Sequence, residues 1–139
     1  MKTEKFEYEV LIRESHIDSF GHVNNAHYLS LFEEARWEII SPRGFSVREI
    51  QAHGLGPVVL EVSLRFAKEV QLRQKIRIRS EVIAGQNVDR SMTLKVIQTM
   101  VNEKDETCCT GVFTFALFDL RARRIVPPTQ EWLNAIGVS

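Results

Sequence analysis

A single helical stripe in a chain otherwise patterned for strands is the feature that most limits how this sequence can fold. From about Asn25 to Ile40 the apolar residues Tyr28, Leu31, Phe32, Ala35 and Ile39 recur at helical spacing, and Leu29, Trp37 and Ile40 widen the stripe. That pattern predicts a largely buried helix. Ser41-Pro42 stops it, because proline disfavours helical geometry in the preceding residue and donates no amide. A connection to about Gly56, with room for a short helical turn, follows.

The other long segments alternate with a period of two. Phe6, Tyr8, Val10 and Ile12 oppose Glu7, Glu9 and Leu11 in a first strand ending near Arg13. Val58, Leu60, Val62, Leu64 and Phe66 alternate with Val59, Glu61, Ser63, Arg65 and Ala67 in a second. Runs near 75–84, 88–101 and 107–119 are separated by polar connections around Gly85-Gln86-Asn87 and Asn102-Glu103-Lys104-Asp105, which suggests an antiparallel meander. Thr129, after Pro127-Pro128, is placed to cap a short helix through Trp132 and Ile136. With one long helix to cover the apolar face, the expected fold is α+β, a long antiparallel sheet wrapped around a central helix. The 139 residues fit a single domain, 1–139, with no internal repeat or linker.

Charge and composition narrow the function classes. Eighteen basic and eighteen acidic residues cancel, which removes the bulk electrostatic argument for nucleic acid or anionic membrane as partner. The N-terminal segment is charged where a secretory signal needs its apolar stretch, and no run is long enough to span a bilayer, so the cytoplasm is the expected compartment. Cys108 and Cys109 are adjacent, and neighbours on a strand point to opposite faces, so they are expected to be reduced apolar filling. No metal-ligand spacing surrounds them, and neither a metal nor a cofactor is expected.

The chemistry-bearing stretch is Asp18-Ser19-Phe20-Gly21-His22-Val23-Asn24-Asn25-Ala26-His27-Tyr28, where a carboxylate precedes a glycine turn that feeds a helix capped by Asn24. A helix N-terminus offers amides without intrahelical partners and a partial positive charge, suited to polarising a thioester carbonyl. Thiolate is a good leaving group, so a single carboxylate suffices, either attacking the carbonyl or removing a proton from water. Asp18 is the candidate for either role.

Asp18 through Arg36 resembles the hot-dog-fold thioesterases of the 4-hydroxybenzoyl-CoA thioesterase type. The resemblance rests on Asp18, Gly21, the His22-Val23-Asn24-Asn25 run, Tyr28 and Glu34-Ala35-Arg36, and extends to Val58-Val59-Leu60 and Ile125-Val126-Pro127. It implies a hot-dog fold and hydrolysis of acyl-CoA to acid and CoA, with Asp18 catalytic and the Asn25 backbone amide as oxyanion donor. Gly21, His22, Val23, Asn24 and Tyr28 would line the substrate site. An acyl carrier protein thioester is a further substrate class it implies, and the family assembly would be a homodimer or homotetramer with substrate between protomers.

Each residue also has a plainer reading. An Asp before Gly is usually a turn former, His22 more often satisfies local backbone, Asn24 is explained as a cap and Tyr28 as a buried aromatic. Glu33 and Glu34 are secondary catalytic candidates, because a related subgroup carries its carboxylate on the central helix; a solvated helix face is their common fate. The arginines and lysines at 65–79 and at 121–124 are either steering charges for CoA phosphates or a solvated face. Two other functions remain open at this point: a hot-dog enoyl-CoA hydratase or dehydratase using Asp18 with His22, and a noncatalytic acyl-CoA binding module.

Overall fold

A computed structural model describes residues 2–18, 21–83 and 92–139. The elements run β1 (Phe6–Leu11), α1 (Asn25–Ile40), α2 (Val47–His53), β2 (Leu55–Phe66), β3 (Lys75–Ile83), β4 (Thr93–Val101), β5 (Thr107–Asp119), β6 (Arg124–Val126) and α3 (Gln130–Ala135), with short 3-10 turns at Glu14–His16 and Ser41–Arg43. The sheet order is β1-β3-β4-β5-β2, every pairing antiparallel, with β6 beside β5. This is the hot-dog arrangement, a sheet around one long helix. Among the described residues no helix is long and apolar enough to cross a membrane.

The sheet holds α1 through an apolar face and one polar tie. Tyr28, Leu31, Phe32, Ala35 and Ile40 are buried against β3, β4 and β5, each large side chain contributing about 1.5–3 kcal/mol. Phe32 meets Phe113 of β5 edge to face, with ring centres 5.6 Å apart. Gln98, fully buried on β4, donates from Nε2 to the Phe32 carbonyl at 3.1 Å and to Ser80 Oγ of β3 at 3.0 Å, and accepts from Arg36 Nη1 at 2.8 Å. The same guanidinium lies over the Phe113 ring at 4.3 Å.

Several expected boundaries shift. β2 begins at Leu55, and the connection before it holds α2, whose Ser46 and Glu49 form a reciprocal capping box. The strand expected from 88 is described from Thr93; its expected start and the Gly85-Gln86-Asn87 turn lie outside the described residues. Leu29 does not widen the buried stripe: it is exposed, as are Glu33, Glu34 and Glu38, so α1 keeps an open outer face in the isolated chain. Leu11 is half-buried, unlike the exposed glutamates it was grouped with.

The clean alternation expected along β2 is also broken. A bulge between Val59 and Glu61 lets Val59 pair with Phe115 and Val62 with Phe113, so these valines, three residues apart, share the helix-facing side of the sheet. Val58 pairs with Ala116 and points the other way from Val62. The extra residue resets the phase, and periodicity in the sequence cannot register an insertion that leaves both halves apolar.

Both cysteines are free and fully buried. Burial pushes the Cys109 thiol up to about 11 from an ordinary value of 9.0. The folded state therefore keeps a proton that the unfolded chain has lost, and stability should fall as pH rises from about 9 to about 11. Urea midpoints taken across that range should decline in the wild type and decline less in Cys109→Ala. A second expectation concerns the polar tie: Gln98→Leu strands the Arg36 guanidinium and the Phe32 carbonyl, and should cost about 2–3 kcal/mol in urea denaturation.

Candidate active site

The segment before α1 folds as a tight hairpin. Ile17 and Val23 form an antiparallel bridge, the Asp18 amide donates to the His22 carbonyl at 2.9 Å, and the Gly21 amide donates to the Asp18 carbonyl at 3.0 Å. Gly21 has a φ of 81°, the left-handed region where a side chain is strained, which explains a glycine at this corner. The His22 amide donates back to Asp18 Oδ1 at 3.3 Å. Asp18 is thus half-buried and held by main chain two bonds deep, with Val23 buried beneath it in the core cluster.

The hairpin delivers the chain directly to the helix start. Asn24 has extended backbone, and its side-chain oxygen accepts from the amides of Ala26 at 2.7 Å and His27 at 3.4 Å, as the sequence predicts for an N-cap. That leaves the Asn25 amide, the first of the helix, with no acceptor among the described residues. An open donor at the positive end of a sixteen-residue helix is suited to a developing oxyanion.

The remaining candidates divide by position. The exposed His22 ring places Nε2 3.1 Å from Glu69 Oε1, a polar contact between the hairpin and the residues that follow β2. Tyr28 is buried; its ring meets Phe66 of β2 edge to face at 5.1 Å, and its hydroxyl lies against the Val70 backbone, with burial raising its pKa. Glu34 accepts a hydrogen bond from the Tyr8 hydroxyl at 2.7 Å, which ties it to β1 and away from the hairpin. Glu33 lies eight residues beyond Asn25, roughly 12 Å along the helix axis. The helix glutamates are therefore separated from the Asp18 hairpin, while Gly21, His22, Val23, Asn24 and Asn25 belong to it or follow it directly, and Tyr28 lies one turn into α1 against Phe66.

The basic stretch is mostly committed to ion pairs. Lys68 bonds Glu106, Arg73 bonds Glu14, and Arg77 and Arg79 share Glu7 and Asp105. Arg121 donates to the Ala52 carbonyl at 2.8 Å and Arg123 lies over Phe118. No group of three or more His, Cys, Asp or Glu residues suited to holding a metal occurs among the described residues.

Sequence reasoning missed a partly open cavity at the far end of α1. A cavity of about 150 Å³ lies beneath the C-terminal half of the helix, with Arg36, Trp37, Val59, Ser80, Phe113 and Trp132 in its wall. Its residues come from α1, α3 and five strands, so no local motif marks them.

Residues 12–136 match the family model of the Thioesterase-like superfamily. The long-chain acyl-CoA thioesterase FadM of Escherichia coli is 28% identical over 116 residues, covering 84% of this chain and 85% of that protein. Among solved structures, the CoA complex of the protein SAV2348 from Staphylococcus aureus superposes with a TM-score of 0.84 at 16% identity, covering 98% of this chain and 84% of that one. Slr0204, a 1,4-dihydroxy-2-naphthoyl-CoA thioesterase from Synechocystis, gives 0.82 at 17% identity and covers 96% of both chains. With the family match spanning nearly the whole sheet and its helix, this chain belongs to the Thioesterase-like superfamily.

Proposed function

We propose that this protein hydrolyses acyl-CoA thioesters, with Asp18 as the reacting carboxylate and the Asn25 amide as oxyanion donor. The open Asn25 amide, next to the hairpin that holds Asp18, is the observation that carries this reading. The activities in the names of FadM and Slr0204, and the CoA bound to SAV2348, favour acyl-CoA as substrate.

In the reaction the thioester carbonyl oxygen lies toward the Asn25 N–H, where the helix dipole favours the negative charge that develops as the carbonyl becomes tetrahedral. Asp18 then acts by one of two routes. As nucleophile it forms a mixed anhydride and expels the CoA thiolate, and water opens the anhydride. As general base it takes a proton from water attacking the same carbon, and collapse again releases thiolate. Both routes require the Asp18 side chain to be fixed relative to the helix start, and the hairpin hydrogen bonds favour that. A hydratase dyad is less well supported, since the His22 ring is engaged by Glu69.

Two copies would complete the site by joining along β2. Among the described residues this strand pairs only with β5, which leaves its other edge open, and Val59, Leu60, Val62 and Phe66 on it are each more than 40% exposed. An open apolar edge of this length is what a second sheet would cover.

Asp18→Asn should lower the rate of free-thiol release from an acyl-CoA panel by at least ~100-fold while leaving the protein folded and assembled; near-normal turnover would remove Asp18 from the mechanism. For assembly, sedimentation should show a dimer or larger for the wild type and a shift toward monomer for Val62→Lys, which puts a charge on the open edge. A wild-type monomer with full activity would exclude the shared site.

A further inference from the structure

The hairpin that carries Asp18 is closed by its own main chain, which fixes its shape but leaves its placement against the rest of the molecule to other contacts. Two of these reach it from one loop, the residues between β2 and β3. Where the chain leaves the hairpin, the His22 ring puts Nε2 3.1 Å from Glu69 Oε1. His22 is also the residue whose amide donates to Asp18 Oδ1 and whose carbonyl accepts from the Asp18 amide. Where the chain approaches the hairpin, Arg73 grips Glu14 with two nitrogens, Nε to Oε2 at 3.0 Å and Nη2 to Oε1 at 2.5 Å. The Arg73 amide adds a bond to the Ile12 carbonyl at 2.7 Å. One contact thus falls four residues before Asp18 and the other four residues after it.

The loop is itself held by the sheet rather than by the hairpin. The amides of Ala67 and Lys68 both donate to the Cys108 carbonyl of β5, at 2.9 and 3.0 Å, and Lys68 pairs with Glu106. Val70 is fully buried, and Phe66, at the start of the loop, packs edge to face on Tyr28 one turn into α1. Arg73 has a φ of 64°, in the left-handed region that any residue but glycine occupies at a cost. Glycine would serve this turn better, so the arginine needs another reason, and its grip on Glu14 supplies one.

Both pairs are exposed, with side chains between 48% and 62% open to solvent, and pairs of that kind add little to stability. What they set is geometry. Building on the thioesterase reading, we infer that Glu69 and Arg73 are positioning residues: the β2–β3 loop holds the Asp18 hairpin from both sides and keeps the carboxylate in its working place. Neither residue touches substrate. Glu69 acts through His22 and its main-chain bonds to Asp18, and Arg73 acts through Glu14 and the 3-10 turn that leads into the hairpin. A small displacement of a reacting group costs rate without weakening substrate binding.

The test measures kcat and KM for the fastest-cleaved member of an acyl-CoA panel, amide hydrogen exchange at Gly21 and His22, and urea midpoints. The proteins are wild type, Glu69→Ala, Glu69→Gln and Arg73→Gly. Glu69→Ala and Arg73→Gly should each lower kcat about 2–5-fold, the range open to exposed pairs, and leave KM unchanged. Exchange at Gly21 and His22 should speed up by a similar factor, since both amides donate to Asp18. The urea midpoint should hold in Glu69→Ala and should not fall in Arg73→Gly, which exchanges a strained residue for glycine. Glu69→Gln keeps an acceptor oxygen for the His22 ring and should retain most of the wild-type kcat.

A wild-type kcat in either variant removes that residue from the role, and in both it overturns the inference. A loss that appears in KM or tracks a lower urea midpoint overturns it too, as does a Glu69→Gln protein as slow as Glu69→Ala. A wild type that cleaves no thioester would count against the hydrolase reading. The exchange rates would then decide alone whether the loop holds the hairpin, and unchanged rates in both variants would dismiss it.

Discussion

Gln98 is the point on which the rest of the structure depends. A central helix lying across a sheet is held mostly by apolar contact, which fixes its distance well and its axial position poorly, since greasy surfaces slide. Gln98 removes that freedom by reaching from β4 to the Phe32 carbonyl and the Arg36 guanidinium of α1, and to Ser80 of β3. Because the amide is fully buried with its oxygen and nitrogen both engaged, sliding the helix by part of a turn would leave three polar groups unpaired. The helix start is therefore held in place by a residue remote from it in sequence.

At that start, two local devices meet. The Asp18 hairpin is closed by its own main chain, and the Asn24 cap takes two of the first three helix amides. The Asn25 N–H that is left over is a by-product of how completely the neighbouring groups satisfy one another. The site thus costs the fold little, because an orphan donor at a helix N-terminus exists in any case.

Much of this was legible in the sequence where the signals are local. The bounds of α1, the caps at Asn24 and Thr129, and the extent of β5 follow from spacing, proline and side-chain oxygens at known offsets. Asp18 was legible as a turn former from composition and as a candidate reacting group only through the motif around it. Long-range features were not legible. Gln98 reads as an ordinary polar residue on a half-exposed strand, and its burial depends on α1 folding over it. The β2 bulge is silent because valine and leucine stand on both sides of it. Trp132 reads as the apolar face of a short helix, and only packing reveals that its N–H lacks an acceptor.

The bulge also divides β2 into two segments that can vary separately. On one side, Leu64 and Phe66 pair with Gly111 and Cys109 near the helix start; on the other, Pro57 and Val59 pair with Leu117 and Phe115 beside the cavity. An ordinary strand transmits a one-residue slip along its whole length and turns every side chain over. Here the irregularity absorbs a slip, so residues beside the cavity can be exchanged or even shifted in register while those packed against the start of α1 keep their facing. A lineage could reshape the cavity wall without disturbing the part of the sheet that packs on the start of α1.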